Sequence, residues 1–272
     1  MKIGLFGINS GICANPEVAS RVARHAEAAG IESVWTGEHV VLPDPRQPPS
    51  PAAPDYAMLH PSTSLAFLAA VTERMKLGTG ITLIAQRNPL VLAKEMASLD
   101  YVSHGRLILG IGAGYLYQEF DALGVPFRQR GARTDEAIQV LRTLWNDPNP
   151  SFSGRFWDFR NIQAMPRPVQ DGGPPIVVGG TSEAALKRTA ESCQGWYGFA
   201  MNVEQTREVL HRLHQYPGGS DLEVSVTPSM RLNPQLVQEF ASIGVHRLVS
   251  LIPNEEMRIL QLIDDLAPLA GE

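Results

Sequence analysis

A chain of 272 residues with 44% apolar content has enough material for one large α/β barrel or two ordinary domains, and nothing in it is fibrous, repetitive or disordered. A formal charge of -5 without a basic run excludes a nucleic-acid groove as the main business and directs attention to small-molecule partners. Cys13 and Cys193 lie far apart, which excludes a disulfide framework or thiolate zinc site and fits a reducing cytoplasm, and no stretch has the apolar length of a membrane span.

In chain order, Lys2 to Ile8 reads as a first strand and not a signal peptide, because Asn9 and Ser10 interrupt the apolar run. Pro16 suits a helix start, Val18, Val22, Ala26 and Ala29 recur at helical spacing, and Gly30 ends the helix. Glu32 to Gly37 is the second strand, with Glu38 and His39 immediately beyond it. From Pro43 to Pro61 seven prolines exclude a regular element and predict a long loop over the ligand, with Ser62 or Thr63 capping the next helix. Met75 to Ile84 is the third strand, and Asn88-Pro89 opens a helix that ends near Gly105.

Arg106 to Gly114 (Arg-Leu-Ile-Leu-Gly-Ile-Gly-Ala-Gly) is a short apolar run ending in three glycines, the signature of a strand buried on both faces whose carboxyl end exposes backbone. A dinucleotide fingerprint fails here on spacing, since positions 115 and 117 are both tyrosine. The glycines serve either close helix packing or the approach of a planar or phosphorylated group. Helices follow at Gln118 to Leu123 and Thr134 to Trp145, and residues 151–168, with Phe152, Phe156, Trp157 and Phe159, predict a small hairpin excursion.

Pro174 to Val178, Gly195 to Ala200, Leu222 to Thr227 and His246 to Ile252 are the remaining strands, each with a helix after it. Eight alternating strands and helices predict a single (β/α)8 TIM barrel over 1–272, with a doubly wound sheet as the alternative. In the barrel, Glu38, His39, Thr79, Gly80, Gly112 to Tyr115, Gly179 to Thr181 and Trp196 rim one mouth.

The motifs Ser-Val-Trp-Thr-Gly-Glu-His (33–39), Lys-Leu-Gly-Thr-Gly-Ile (76–81), Leu99-Asp100 into Gly105-Arg106, Gly-Ile-Gly-Ala-Gly (110–114) and Pro-Pro-Ile-Val-Val-Gly-Gly (174–180) resemble, in order and over nearly the whole chain, those of the bacterial luciferase-like family. The resemblance implies a (β/α)8 barrel that binds FMN or the deazaflavin coenzyme F420 for redox chemistry on a small organic molecule. Glu-His-Val-Val-Leu-Pro (38–43) and Arg-Gly-Ala-Arg-Thr-Asp-Glu (130–136) are most similar to the F420-dependent oxidoreductases.

It further implies His39 as the catalytic residue and a cofactor cradle of Glu38, His39, Thr79, Gly80, Ile81, Gly112, Ala113, Gly114, Gly179, Gly180, Thr181 and Trp196, with a non-prolyl cis peptide near Thr79 to Ile81. A histidine suits proton transfer because it titrates near neutrality, and Gly179-Gly180-Thr181 before a helix suits a phosphate. Where several such dehydrogenases carry a proton-donating glutamate this chain has Tyr115, which is assigned to the substrate side, so sugar-phosphate or alcohol dehydrogenase activity does not carry over. Glu119 is read as either a site residue or a surface group. The alternatives are an FMN-dependent monooxygenase served by a separate reductase and a non-catalytic flavin carrier; family resemblance implies a homodimer. No histidine spacing indicates a metal site.

Overall fold

The computed structural model describes residues 1–271. Its barrel begins with β1 (Lys2–Phe6), β2 (Ser33–Thr36), β3 (Lys76–Thr79) with a short continuation β4 (Thr82–Leu83), and β5 (Leu107–Gly112). A two-stranded antiparallel hairpin, β6 (Phe152–Ser153) and β7 (Asp158–Phe159), stands outside it. β8 (Ile176–Gly179), β9 (Gly195–Met201), β10 (Glu223–Pro228) and β11 (Arg247–Leu251) complete the wall. Parallel pairing runs β1–β2–β3–β5–β8–β9–β10–β11 and returns to β1, so the sheet closes as a (β/α)8 barrel and the doubly wound alternative is excluded.

Helices α1 (Pro16–Ala28), α2 (Pro61–Val71), α3 (Pro89–Val102), α4 (Tyr117–Ala122), α5 (Arg130–Asn146), α6 (Glu183–Ser192), α7 (Val203–Leu213), α8 (Pro234–Ser242) and α9 (Glu256–Leu266) form the outer ring. Three of them start with the same pair, Asn15-Pro16, Asn88-Pro89 and Asn233-Pro234. In each the asparagine side chain accepts from a first-turn N–H, and proline occupies a position whose N–H has no helical partner. Helix α2 also starts on a proline, Pro61, with His60 and not Ser62 or Thr63 at its cap position.

Strand alternation separates two apolar regions. Leu107, Leu109 and Ile111 face the helices and join the main core, whereas Trp35, Ile108, Val177, Tyr197 and Val249 fill the barrel interior. The floor is sealed by Arg247, which is buried against the Trp35 ring and holds Glu32 through two bonds of 2.8 Å. Above Ile108 the inward positions of β5 are Gly110 and Gly112, so the interior empties toward the carboxyl ends of the strands. That asymmetry opens one mouth of the barrel and closes the other.

The third strand departs from the continuous segment predicted over Met75 to Ile84. It breaks between β3 and β4, with a cis peptide at Gly80–Ile81, and the Ile81 side chain turns into the interior. A Cβ on Gly110 would stand 1.9 Å from the Thr79 carbonyl oxygen, and one on Gly112 would stand 2.1 Å from Ile81 Cδ1. The glycines therefore accommodate the break in the neighbouring strand.

Candidate active site

The mouth holds a cavity of 650 Å³, within the usual range of about 300–1,000 Å³ for small-molecule and cofactor sites. One side is apolar: Phe6, Ile81, Tyr197 and Phe199 rise from the strands, and Pro51 and Met58 come from the proline-rich loop. Asn9, fully buried, fixes that loop to the mouth. Its amide donates to the carbonyls of Gly37 and Leu59 at 2.9 and 2.6 Å, and its oxygen accepts from Gly37 N–H at 3.0 Å.

The same cavity is lined by Arg128, Arg130 and Arg188 and by Gly180, Ser182 and Ala184 at the start of α6. Ser182 caps the helix by accepting from Ala185 N–H at 3.3 Å, while the unpaired first N–H groups and the helix dipole favour an anion. Arg188 is buried on the inner face of α6 and is oriented by Asp135 at 2.6 Å. This part of the wall is built for acid groups.

Tyr115 and His39 of the lining continue inward as a chain of three polar side chains. Tyr115 Oη is 3.3 Å from His39 Nε2, and His39 Nδ1 is 3.3 Å from Glu119 Oε2. Glu119 is fully buried at the third position of α4, where it also accepts from Val40 N–H at 2.5 Å and from the Gln86 amide at 3.0 Å. Burial pushes its pKa up, but the hydrogen bonds from His39 and Gln86, the electrostatic attraction of the imidazole and the Val40 N–H more than offset that, and the net shift is downward. Glu119 is thus a carboxylate at neutral pH. Burial and the Glu119 charge raise the Tyr115 pKa, so its phenol keeps its proton.

The sequence-derived residues divide into two groups. Glu38, His39, Gly80, Ile81, Gly112, Ala113, Gly114, Tyr115, Gly179 and Gly180 line the cavity. Glu38 lines it with a committed carboxylate, which accepts from Leu83 N–H at 3.0 Å and pairs with Arg87, thereby holding β4 beyond the strand break. Thr79, Thr181 and Trp196 stand outside the cavity wall. Thr79 is buried and donates to the Gly110 carbonyl at 2.7 Å; Trp196, packed among the outer helices, donates from its indole to the Gly180 carbonyl at 2.9 Å. Thr181 is exposed, and its carbonyl accepts from Arg212 at 2.9 Å. Thr79 and Trp196 thus support the wall through bonds to the Gly110 and Gly180 carbonyls, whereas Thr181 stands at the surface.

The surface reading of Glu119 is overturned by its complete burial. Its signal was present in the sequence: Leu116 and Phe120 flank it at helical spacing, so the glutamate shares their inward face. Arg188 carried the same kind of signal, a cation among Ala185, Leu186 and Thr189 on the buried side of α6. Phe6, Met58 and Phe199 carried none.

Among the described residues no helix is long and apolar enough to cross a membrane, and no group of three His, Cys, Asp or Glu side chains could hold a metal ion.

Comparison with known proteins places these features in a family. The sequence pattern described as luciferase-like monooxygenase matches residues 7–239. An F420-dependent glucose-6-phosphate dehydrogenase of Amycolatopsis mediterranei is 33% identical over 165 residues, 58% of this chain and 46% of its own. The oxygenase component of a flavin-dependent trigonelline monooxygenase of Acinetobacter baylyi is 32% identical over 155 residues, 56% of this chain and 40% of its own. In three dimensions, an F420-dependent secondary alcohol dehydrogenase superposes with a TM-score of 0.80 at 16% identity, covering 100% of this chain and 99% of that one.

Proposed function

The chain belongs to the luciferase-like monooxygenase family, and from that premise we propose that it is a coenzyme F420-dependent oxidoreductase that moves hydride between the deazaflavin and a small, largely apolar organic substrate. The observation that carries the proposal is the presence, in one cavity, of three arginines and the start of α6 together with a histidine hydrogen-bonded to a buried carboxylate. The residues present fit the group. Ile81 on the break in the third strand offers a flat apolar bed for a tricycle, and Arg188 with the α6 N-terminus suits a phosphate. Arg128 and Arg130 suit further carboxylates, which the deazaflavin coenzyme has and FMN lacks.

When bound, the deazaflavin supplies hydride acceptance or donation at one ring carbon. The chain itself orients ring and substrate, excludes water beneath Pro51 and Met58, and handles the accompanying proton at His39. The relative in Acinetobacter favours a second reading, an FMN-dependent monooxygenase supplied with reduced flavin by a separate reductase. A carrier without chemistry is the weakest reading, since the cavity is open beside the histidine and not filled by side chains.

Fluorescence titrations of the protein with oxidised deazaflavin coenzyme and with FMN test the assignment. The expected result is a dissociation constant at least about tenfold lower for the deazaflavin, a preference of about 1.4 kcal/mol. The reverse preference moves the assignment to the monooxygenase, and binding of neither overturns both.

We also propose a homodimer formed through α2 and α3. Phe67 on α2 and Val91, Tyr101 and Val102 on α3 leave apolar surface exposed, with Lys94 and Glu95 among them on the outer face of α3. Val91→Glu is expected to convert the dimer to monomer in sedimentation equilibrium while leaving cofactor binding within about twofold, because a buried unpaired charge opposes only the association. A wild-type monomer would refute this assembly.

A further inference from the structure

A hydride transfer to or from a carbon bearing oxygen or nitrogen must be accompanied by one proton at the heteroatom. Tyr115, His39 and Glu119 form one line from the half-exposed phenol at the cavity to a fully buried carboxylate. We infer that Glu119 is a positioning residue that locks His39 as the Nδ1–H tautomer, so that Nε2 and the Tyr115 hydroxyl together form the proton-carrying end of the site. The inference rests on the oxidoreductase assignment for its use, but not for its geometry.

The hydrogen-bond inventory supports it. An ionised carboxylate only accepts, so the imidazole nitrogen facing Glu119 must carry the hydrogen. Nε2 then has a lone pair, and the Tyr115 phenol donates to it at 3.3 Å. The imidazole plane is set from a third direction as well, since the Tyr115 ring meets it edge-on at 81° with centroids 5.8 Å apart. Glu119 is held in turn by Val40 N–H on one oxygen and by Gln86 on the other. A carboxylate this well anchored leaves the imidazole one orientation and one tautomer.

The step balances without further groups. Where a substrate carbon bearing a hydroxyl is oxidised, the bound deazaflavin would supply the hydride acceptor, and the hydroxyl proton would pass to Tyr115 Oη. The phenol's own proton moves to His39 Nε2, and the resulting imidazolium lies against the Glu119 carboxylate. Reduction of a carbonyl runs the same transfers in reverse, ending with neutral Nδ1–H histidine. A buried carboxylate behind an imidazole stabilises the cationic form without taking its proton.

Replacement of Glu119 by glutamine has an unusual expected result. Val40 N–H requires an acceptor at the Oε1 position, which assigns the amide oxygen there and leaves the NH2 facing His39. Nδ1 must then accept, and the tautomer inverts to Nε2–H. Gln86 accommodates the change by turning its amide, since its own oxygen has no partner among the described residues.

The experiment is ¹⁵N NMR of histidine-labelled protein without cofactor, with His39→Gln identifying the resonances, followed by steady-state kinetics. Wild type and Glu119→Asp are expected to show Nδ1–H, and Glu119→Gln to show Nε2–H with turnover lowered about 10²-fold or more and KM changed less than about threefold. Tyr115→Phe should keep the tautomer and lose about 10²-fold in turnover, the scale of one acid–base contribution. Nε2–H in the wild type, or the same tautomer in wild type and Glu119→Gln, overturns the inference. If Glu119→Gln fails to fold, the wild-type and Glu119→Asp tautomers decide it. Because the tautomer is read in the free protein, a failed cofactor titration and a failed positioning role are separate results.

Discussion

His39→Ala is expected to reduce turnover about 10²–10⁴-fold, the usual contribution of a positioned acid–base group, with a much smaller change in cofactor affinity. The inequality follows from where the imidazole stands. His39 follows β2, whereas the cationic groups that would hold the cofactor's acids, Arg128, Arg130 and Arg188, stand on other segments of the wall, at the entry to α5, on α5 and on α6. Removal of the ring deletes both hydrogen bonds of the Tyr115–His39–Glu119 line and leaves the three arginines in place. Single-turnover oxidation of the reduced deazaflavin, on a substrate that the wild-type protein consumes, measures the chemical step directly. An unchanged rate, or a loss confined to cofactor binding, would remove His39 from the chemistry and leave it as a wall residue.

Gly110→Ala is the second change with a large expected effect, and it acts on the fold. The added Cβ meets the Thr79 carbonyl oxygen at 1.9 Å, and that oxygen belongs to backbone that cannot rotate away. Thr79 is also tied to Gly110 by its own hydroxyl at 2.7 Å, so the two strands cannot part locally without losing that bond. Overpacking of this kind costs about 1–3 kcal/mol and here the upper end applies, which corresponds to a drop of roughly 6–12 °C in thermal midpoint for a domain of this size. Calorimetry of wild type and variant measures it. Gly244→Ala is the control: Gly244 has a φ of 91°, but a Cβ there meets nothing within 4 Å, so only backbone strain of about 1 kcal/mol remains. Equal losses in the two variants would show that the contact between β5 and the strand break is unimportant.

Gly110 also illustrates how far a sequence reading reaches. Three glycines at alternate positions in an apolar strand mark backbone exposed on one face, and that much follows from the pleat. What fills the space does not. The missing Cβ atoms of Gly110 and Gly112 are taken up by Thr79 and Ile81 from a strand about thirty residues earlier, and only the packing of β3 against β5 brings them there. The continuous third strand expected over Met75 to Ile84 failed for the same reason. The break at Gly80–Ile81 falls where the family resemblance implies a non-prolyl cis peptide, although the apolar pattern by itself reads as a continuous strand.

The order of strands and helices was determined by the chain alone, because period-2 and period-3.6 apolar patterns and Asn-Pro starts are local properties of the sequence, whereas closure into a barrel rests on the pairing of β1 with β11. The chain also determined the position of the mouth, since residues just beyond parallel strands must gather at their carboxyl ends: His39, Gly112 to Tyr115 and Gly179-Gly180 all do. Tertiary structure decided which of the rim residues face the cavity and which support it. Thr79 and Trp196 were buried behind the cavity wall and Thr181 was left at the surface, and Glu119 was drawn inward to His39 by burial of the face it shares with Leu116 and Phe120. Contacts between residues eighty positions apart, such as His39 and Glu119, depend on barrel closure and helix rotation, quantities that no local pattern of residues encodes.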